Sequence, residues 1–224
     1  MSAITAVTAQ NSLTVNGVQF LSPAFVARQI DTVLSDYGAG AVKTGFLGQS
    51  GIIAAVAGSL RQHHPPFVII DPVLVNHRQE AMFSGDVVQA YRDHLLPLAD
   101  LITPNWAEAQ LLAPQASNPE TAVTYLHQLG VPHILITSIP DNHQRYDLYS
   151  DGQSRYTFLQ SRLATDNTHG SGDTLSAAIC AFLAQGQAME TAVAQARAFT
   201  WKAIQNGADW QLGSGHGPVW PSQT

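Results

Sequence analysis

The sequence has little charge. Charged residues make up only 12% of its 224 residues, the formal net charge at pH 7 is −6, and the ten lysine and arginine residues form no basic run. Because surfaces that bind nucleic acid carry clustered positive charge, nucleic acid is excluded as an expected partner. The hydrophobic content of 45% instead predicts a compact folded domain with little disorder.

The chain is also poor in cysteine, and long apolar runs and a secretory leader are missing. Cys180 is the only cysteine, so the chain cannot form an internal disulfide. No apolar run reaches the length of a membrane-spanning helix, and the N-terminus lacks the basic start and apolar core of a signal peptide. We therefore expect a cytoplasmic protein with no membrane partner and, at this length, a single domain over residues 1–224.

What the chain does contain is an alternation of strand and helix patterns. Near-continuous apolar segments such as 67–73 and 134–137 are separated by segments of helical periodicity. This predicts an α/β fold with a mostly parallel central sheet and helices on both faces. The segments 146–149 and 155–159 flank Asp151-Gly152 and predict a hairpin. At the start of the chain, residues 1–10 are predicted to form a buried strand, followed by a turn at Asn16-Gly17.

Residues 168–173, Thr-His-Gly-Ser-Gly-Asp, form a glycine-rich turn ahead of a helix of small residues. Such a turn leaves backbone N–H groups unpaired at the positive end of the helix dipole, which suits phosphate. Asp173 beside it is suited to accept a proton from a hydroxyl group, so the motif fits phosphoryl transfer. Taken alone, the motif fits equally well an ordinary helix cap in which Asp173 accepts from the first-turn amides.

Several predicted strands are followed by a polar residue or a glycine. Gln10, Gly45, Asp71 and Asn105 lie at or just past strand carboxyl ends. Ligands of parallel α/β folds bind beyond these ends, so the four residues are expected to share one site. For any one of them the alternative is a structural role, since every strand must end in some residue.

The glycine-rich turn, extended to residues 167–178, resembles the signature of the ribokinase-like vitamin kinases. More closely it is similar to that of the hydroxymethylpyrimidine and phosphomethylpyrimidine kinases of thiamine biosynthesis. Further segments match this family in the same order: 2–11, 42–48, 71–75, 102–109 and 213–219. The resemblance covers nearly the whole chain. It implies a ribokinase-like fold, ATP and Mg²⁺ as cofactors, and phosphorylation of 4-amino-5-hydroxymethyl-2-methylpyrimidine or its monophosphate.

The same resemblance implies roles for the glycine-rich turn. Asp173 would be the catalytic base, and Gly170, Ser171 and Gly172 would donate backbone N–H groups to the γ-phosphate. Ribokinase and most pyridoxal kinases carry aspartate at the position of Asp173, whereas many relatives of the pyrimidine kinase carry cysteine. The further residues implied to bind ATP are Asn105, Thr168, His169 and Arg197.

Metal and substrate residues are implied in the same way. Asn105 and Glu108 resemble a pair that helps to hold Mg²⁺ largely through water, and Asp71 would add charge near the same metal. Gln10 would bind the aminopyrimidine, since an amide offers both a donor and an acceptor. Phe46 and Val73 would line the pocket for the ring, although in an unknown protein both are more often plain core.

Three departures from the family pattern accompany the match. The family's first strand, its glycine-rich loop and its first helix would precede Ser2, so we expect an N-terminally truncated domain with an unpaired sheet edge and an open pocket. Thr137-Ser138-Ile139 stands where relatives often have Lys-Gly-Gly, which leaves Arg197 as a candidate source of positive charge. Asn76-His77-Arg78 alters the loop over the substrate, where relatives often have Ala-Lys-Ser-Gly.

The leading hypothesis from the sequence is therefore an ATP-dependent pyrimidine kinase. Asp173 also supports a second hypothesis, a pyridoxal or pyridoxine kinase. The missing strand and the lost Lys-Gly-Gly support a third, a catalytically weak ligand-binding remnant of the family. Relatives are commonly dimers and an open sheet edge favours association, so a homodimer is expected.

Overall fold

A six-stranded sheet forms the centre of the protein. The computed structural model describes residues 1–142, 144–160 and 163–222. The strand order is β3-β4-β5-β6-β7-β8; β3 to β6 pair in parallel and β6 to β8 pair antiparallel. The mixed, mostly parallel sheet predicted from the sequence is thereby confirmed, including the hairpin of its last two strands. The bounds are β3 (Val42–Thr44), β4 (Val68–Ile70), β5 (Leu101–Ile102), β6 (His133–Asp141), β7 (Gln144–Ser150) and β8 (Arg155–Gln160).

Helices cover both faces of this sheet, as predicted. Successive residues of a strand point to opposite faces, so Ile70 packs in one apolar cluster and its neighbour Ile69 in another. The cluster of Ile70 takes its helical residues from α1 (Pro23–Asp36), α2 (Ser50–His63), α3 (Gly85–Ala90), α4 (Trp106–Leu112) and α5 (Pro119–Gln128). The cluster of Ile69 takes them from α6 (Ser171–Ala184) and α7 (Met189–Gly207). After α3 the chain continues through a π-helical turn at Tyr91–Leu95 and a 3-10 turn at Leu96–Leu98.

The N-terminal segment is not the buried strand that its composition predicts. β1 (Ala6–Gln10) and β2 (Val15–Phe20) form a separate two-stranded antiparallel sheet, and Val7 is 61% exposed. The predicted turn at Asn16-Gly17 is also wrong, because both residues lie within β2. The chain reverses at residues 11–14 instead, where the side-chain oxygen of Asn11 accepts from the amides of Leu13 and Thr14. An Asx turn of this kind competes effectively with an Asn-Gly turn four residues later.

Two further features concern the sheet edge and the helices. In the part of the chain that the structure describes, β3 is an edge strand, since no strand pairs with its outer side. Over the same residues, no helix combines the length and apolar character needed to cross a membrane.

Candidate active site

One large cavity opens at the carboxyl ends of the parallel strands. Its volume is about 2720 Å³, and every residue that the sequence predicts for the site lies on its wall. Gln10 reaches it from the separate hairpin rather than from the central sheet, while Asp71 and Asn105 follow β4 and β5. The volume of this cavity is larger than the volume that one small ligand needs. The contacts inside it therefore decide which residues act together.

The glycine-rich turn forms the start of α6. Gly170 is the N-cap residue with φ +83°, a left-handed conformation that glycine adopts without strain, and no side chain caps the helix. The amide of Ser171 donates to the carbonyl oxygen of Thr168 at 3.1 Å, so it is engaged within the turn. Among the described residues, the amides of Gly170, Gly172 and Asp173 have no backbone acceptor. Free donors of this kind at a helix start form an anion cradle.

Asp173 is not the cap of this helix. It lies in the first turn, makes no cap hydrogen bond, and its side chain is 70% exposed to the cavity. Its Oδ1 atom is 3.5 Å from Nζ of Lys43, at the middle of β3. Lys43 is a site residue that the sequence reasoning missed, although it lies in the segment 42–48 that matches the family. The absence of a cap hydrogen bond excludes the helix-cap alternative for Asp173. An exposed carboxylate beside free amides is instead suited to orient a hydroxyl group.

Asp71 is the buried partner of the same lysine. Its Oδ2 atom accepts a 2.8 Å hydrogen bond from Oγ of Ser176 and lies 3.8 Å from Nζ of Lys43. Burial raises the pKa of Asp71 to about 6, against the opposing effect of the lysine charge. A carboxylate that is partly desolvated in this way is favoured in its charged form when a cation approaches.

The predicted metal pair, Asn105 and Glu108, forms a capping box at the start of α4. The side-chain oxygen of Asn105 accepts from the amide of Glu108 at 3.0 Å, and Oε2 of Glu108 accepts from the amide of Asn105 at 2.9 Å. The other carboxylate oxygen accepts from the amide of Leu74 at 3.0 Å. Burial raises the pKa of Glu108 to about 7. The spacing of this pair is therefore explained in full by helix capping.

The donor set nevertheless fits a magnesium ion. Mg²⁺ keeps several waters and takes one or two carboxylates together with substrate phosphates. Asp71 and Glu108 both line the cavity, and the hydroxyl groups of Thr44 and Thr103 on its wall are buried without a partner among the described residues. No group of three or more His, Cys, Asp or Glu residues suited to a metal occurs within the described ranges. A magnesium ion here would thus depend on phosphate and water for its remaining ligands.

Aromatic residues form the wall beyond β3. Phe46 stacks on Phe20 of the hairpin with ring centroids 5.9 Å apart and tilts against Phe83 at 5.6 Å. The hydroxyl group of Thr5 donates to the carbonyl oxygen of Phe46 at 2.6 Å, which ties the hairpin to this wall. Phe46 is half-buried, so it is part of an aromatic cluster and also faces the cavity.

Arg197 is engaged in an ion pair. Its Nε atom donates to Oδ2 of Asp147 at 2.7 Å, and its guanidinium group lies 4.2 Å from the ring centroid of Phe158. The other oxygen of Asp147 accepts from the amide of Ser138 at 3.0 Å. Arg197 thereby braces the irregular part of β6 at Thr137-Ser138-Ile139, where relatives often have Lys-Gly-Gly, in addition to lining the cavity.

The C-terminal segment packs against the cradle. The amide of His169 donates to the carbonyl oxygen of Gly217, and the amide of Val219 donates to that of His169. Nε2 of His216 lies 3.1 Å from Oγ1 of Thr168. The sequence match includes 213–219 but gives this segment no role, and only its long-range pairing brings it to the site.

Comparisons with known proteins identify the family to which the chain belongs. The family model described as phosphomethylpyrimidine kinase matches residues 1–220. A hydroxymethylpyrimidine/phosphomethylpyrimidine kinase of Synechococcus elongatus is 39% identical over 97% of this chain and 84% of its own length. The chloroplastic thiamine biosynthetic bifunctional enzyme TH1 of Arabidopsis thaliana is 36% identical over 96% of the chain, which spans only 42% of that protein. A pyridoxal kinase of Bacillus subtilis, solved with ADP, has a TM-score of 0.87 at 29% identity over 98% of the chain and 85% of its own.

Proposed function

The chain belongs to the phosphomethylpyrimidine kinase family, and on that premise we propose that it transfers the γ-phosphoryl group of ATP to a hydroxymethylpyrimidine or its monophosphate in thiamine biosynthesis. The observation that carries the proposal is the position of Asp173. It is exposed at the start of α6, beside unpaired amides and one ammonium group. An ATP-dependent kinase needs these elements side by side.

Three sets of protein groups then act in the transfer: the base, the unpaired amides and the lysine. For the unphosphorylated pyrimidine, Asp173 orients the hydroxymethyl oxygen and accepts its proton late, as the new O–P bond forms and the bond to the ADP oxygen breaks. In the monophosphate that oxygen is already esterified, so the attacking atom is an oxygen of the phosphate dianion, which has no proton to give up. The unpaired amides of Gly170, Gly172 and Asp173 bind the oxygens of the transferred phosphoryl group. Lys43 places a positive charge beside Asp173, where it balances the charge of the phosphoryl oxygens.

Asp71 and Glu108 are the residues that we propose to hold Mg²⁺, through water as well as directly. When bound, the ion neutralises charge on the β- and γ-phosphates. The capping box does not oppose this role, since a carboxylate oxygen that accepts from one backbone amide keeps a second lone pair. Asn105, Thr168, His169 and Arg197 remain the proposed nucleotide residues, with Arg197 acting through Asp147 on the irregular part of β6 at Ser138.

The acceptor is proposed to lie between the hairpin and the aromatic wall. Phe46 offers a ring face, Val73 an apolar contact, and Gln10 both a donor and an acceptor for an aminopyrimidine. Asp173 and the likeness to the pyridoxal kinase of Bacillus subtilis support pyridoxal as a second candidate. The family match favours the pyrimidine.

One assay separates these proposals. The purified protein is incubated with Mg-ATP and, in turn, the hydroxymethylpyrimidine, its monophosphate and pyridoxal, and each phosphorylated product is measured. We expect turnover of the pyrimidines to exceed that of pyridoxal. Preference for pyridoxal would replace the acceptor assignment. A folded protein that binds ligand but turns over none of the three would be a ligand-binding remnant, and the kinase proposal would be wrong.

A homodimer is proposed to form through the N-terminal hairpin. Val7, Leu13 and Val15 are each more than half exposed on this two-stranded sheet, and a monomer gains little from an apolar surface in water. Sedimentation velocity tests this: the chain is expected to run as a dimer. A monomer at micromolar concentration would contradict it. We also propose that residues 1–224 form one kinase domain and that the protein acts in the cytoplasm.

A further inference from the structure

Three histidines from separate parts of the chain meet beside the anion cradle. His169 belongs to the glycine-rich turn, His216 to the C-terminal segment and His77 to the loop after β4. The ring centroids of His77 and His216 are 6.1 Å apart, and those of His169 and His216 are 6.4 Å apart. All three side chains line the cavity, and His77 and His169 are exposed to it.

We propose that His77, His169 and His216 form a proton-binding site for a phosphate monoester dianion, and that this ester is the monophosphate carried by the acceptor. The inference rests on the proposed function and deepens it. It assigns a place to the phosphate that distinguishes the second pyrimidine substrate from the first. His77 and His216 have no role in transfer to the unphosphorylated pyrimidine, and His169 is shared with the proposed nucleotide site.

The ring nitrogens are available for such a ligand. Nε2 of His216 contacts the hydroxyl group of Thr168, while the rings of His77 and His169 have no hydrogen-bond partner within the described ranges. A protonated imidazole donates from both nitrogens, and such donors make short, charge-assisted hydrogen bonds to phosphate. A metal is not the occupant that these positions suit, since no metal-holding group of side chains exists among the described residues.

The surroundings place the cluster on the acceptor side of the cradle. The amide of Gly215, next to His216, donates to Oγ of Ser12 at the tip of the hairpin that carries Gln10. His77 follows Val73, a residue proposed to line the ring pocket. A phosphate between these segments and the cradle therefore belongs to the acceptor more readily than to the nucleotide.

Electrostatics couples the site to protons. Burial lowers the pKa of His216, the charges of His169 and His77 lower it further, and Asp166 opposes them. A bound dianion reverses the repulsion between the rings, so phosphate binding draws protons onto the cluster. The affinity for the ester dianion is therefore expected to rise as the pH falls from about 8 to about 7, and to gain little below about pH 6, where the ester itself takes up a proton.

Proton NMR of the histidine C2–H resonances tests this in the full chain. Spectra are recorded across the pH range with and without inorganic phosphate, and His77→Gln, His169→Gln and His216→Gln assign the signals. We expect phosphate to raise the pKa of the clustered imidazoles in the wild type, and the effect to shrink in each variant. His64→Asn, at the exposed C-terminal end of α2, is the matched control and is expected to leave the phosphate effect unchanged. Imidazoles that titrate identically with and without phosphate would overturn the proposal.

Kinetics separates the two sources of phosphate. His77 lies on an exposed loop, so His77→Gln is the variant least expected to disturb folding. In this variant we expect KM for the pyrimidine monophosphate to rise at least about tenfold relative to KM for the unphosphorylated pyrimidine. A rise confined to KM for ATP would overturn the acceptor assignment. If phosphate shifts the imidazoles while no pyrimidine is phosphorylated, the binding site stands and the proposed function fails.

Discussion

Nζ of Lys43 lies 3.5 Å from Oδ1 of Asp173, although 130 residues separate the two in the chain. The same ammonium group is 3.8 Å from the buried carboxylate of Asp71. One cation from the edge strand thus links the exposed carboxylate at the start of α6 to the buried one after β4. We expect the charge of Lys43 to contribute to the position of the base and to the binding of the phosphoryl oxygens.

Replacement of the proposed base is expected to remove most of the activity. Asp173→Asn keeps the shape of the side chain but cannot accept the proton, so kcat is expected to fall about 10²-fold or more. Folding is expected to be unaffected because the side chain is 70% exposed. Steady-state kinetics and thermal unfolding measure the two effects. Asp36→Asn at the end of α1 is the matched control, and unchanged turnover in Asp173→Asn would remove the base assignment.

Loss of the lysine charge is expected to slow the chemical step. In Lys43→Met the phosphoryl oxygens lose a cation, and kcat is expected to fall about 10²-fold with a smaller change in KM for ATP. Lys43→Arg keeps the charge and is expected to restore part of kcat. If Met and Arg are equally inactive while both remain folded, the role of Lys43 is steric rather than electrostatic.

The buried carboxylates are expected to make stability depend on pH. The pKa of Asp71 is raised from 3.8 to about 6 and that of Glu108 from 4.5 to about 7. Between about pH 4 and pH 7 the folded protein therefore binds more protons than the unfolded chain, and the free energy of unfolding falls as the pH rises. Asp71→Asn is expected to stabilise the protein at pH 8 by on the order of 2 kcal/mol.

Urea unfolding at pH 5 and pH 8 measures this effect. Mg²⁺ held by Asp71 is expected to stabilise the wild type at pH 8 and to stabilise Asp71→Asn less. Equal stabilisation of both proteins by Mg²⁺ would count against Asp71 as a ligand.

Backbone strain at Ser138, in the irregular part of β6, is expected to be relieved by glycine. Ser138 has φ +56°, in the left-handed region, while its amide and carbonyl groups bond to Asp147 and Arg145. Ser138→Gly keeps these backbone bonds and is expected to raise the free energy of unfolding by about 0.5–1 kcal/mol. Ser138→Ala keeps the strain and is the matched control. A gain in Ala equal to that in Gly would show that the hydroxyl group, not φ, is responsible.

A methyl group at Gly215 is expected to displace the hairpin. A Cβ atom there would overlap the carbonyl oxygen of Ser12, so the hairpin tip must move and Gln10 with it. We expect KM for the pyrimidine to rise by several-fold in Gly215→Ala with a smaller change in KM for ATP. Gly58→Ala in α2 meets no atom within 4 Å and is the control. A larger effect on KM for ATP would place Gly215 at the nucleotide instead.

The order of elements and the position of the cradle could be predicted from the sequence. The apolar runs of β4 and β6 and the helical periodicity around them are local patterns, and both elements formed where they were expected. The turn at 168–173 was also correctly placed at a helix start. The N-terminal hairpin could not be predicted, because its small apolar residues suit a buried strand and an exposed hairpin equally well.

By itself the sequence determined which residue types follow each strand and start each helix, since a few neighbouring residues set backbone conformation, capping and burial period. Only the tertiary structure decided how these residues pair: Lys43 with Asp173, Arg197 with Asp147, and His216 with the two other histidines. It also showed that Asn105 and Glu108 cap a helix. The physical reason is range. Charge and hydrogen bonding act over a few ångströms in space, and the chain brings distant residues within that range only when the sheet and its helices close around a common edge.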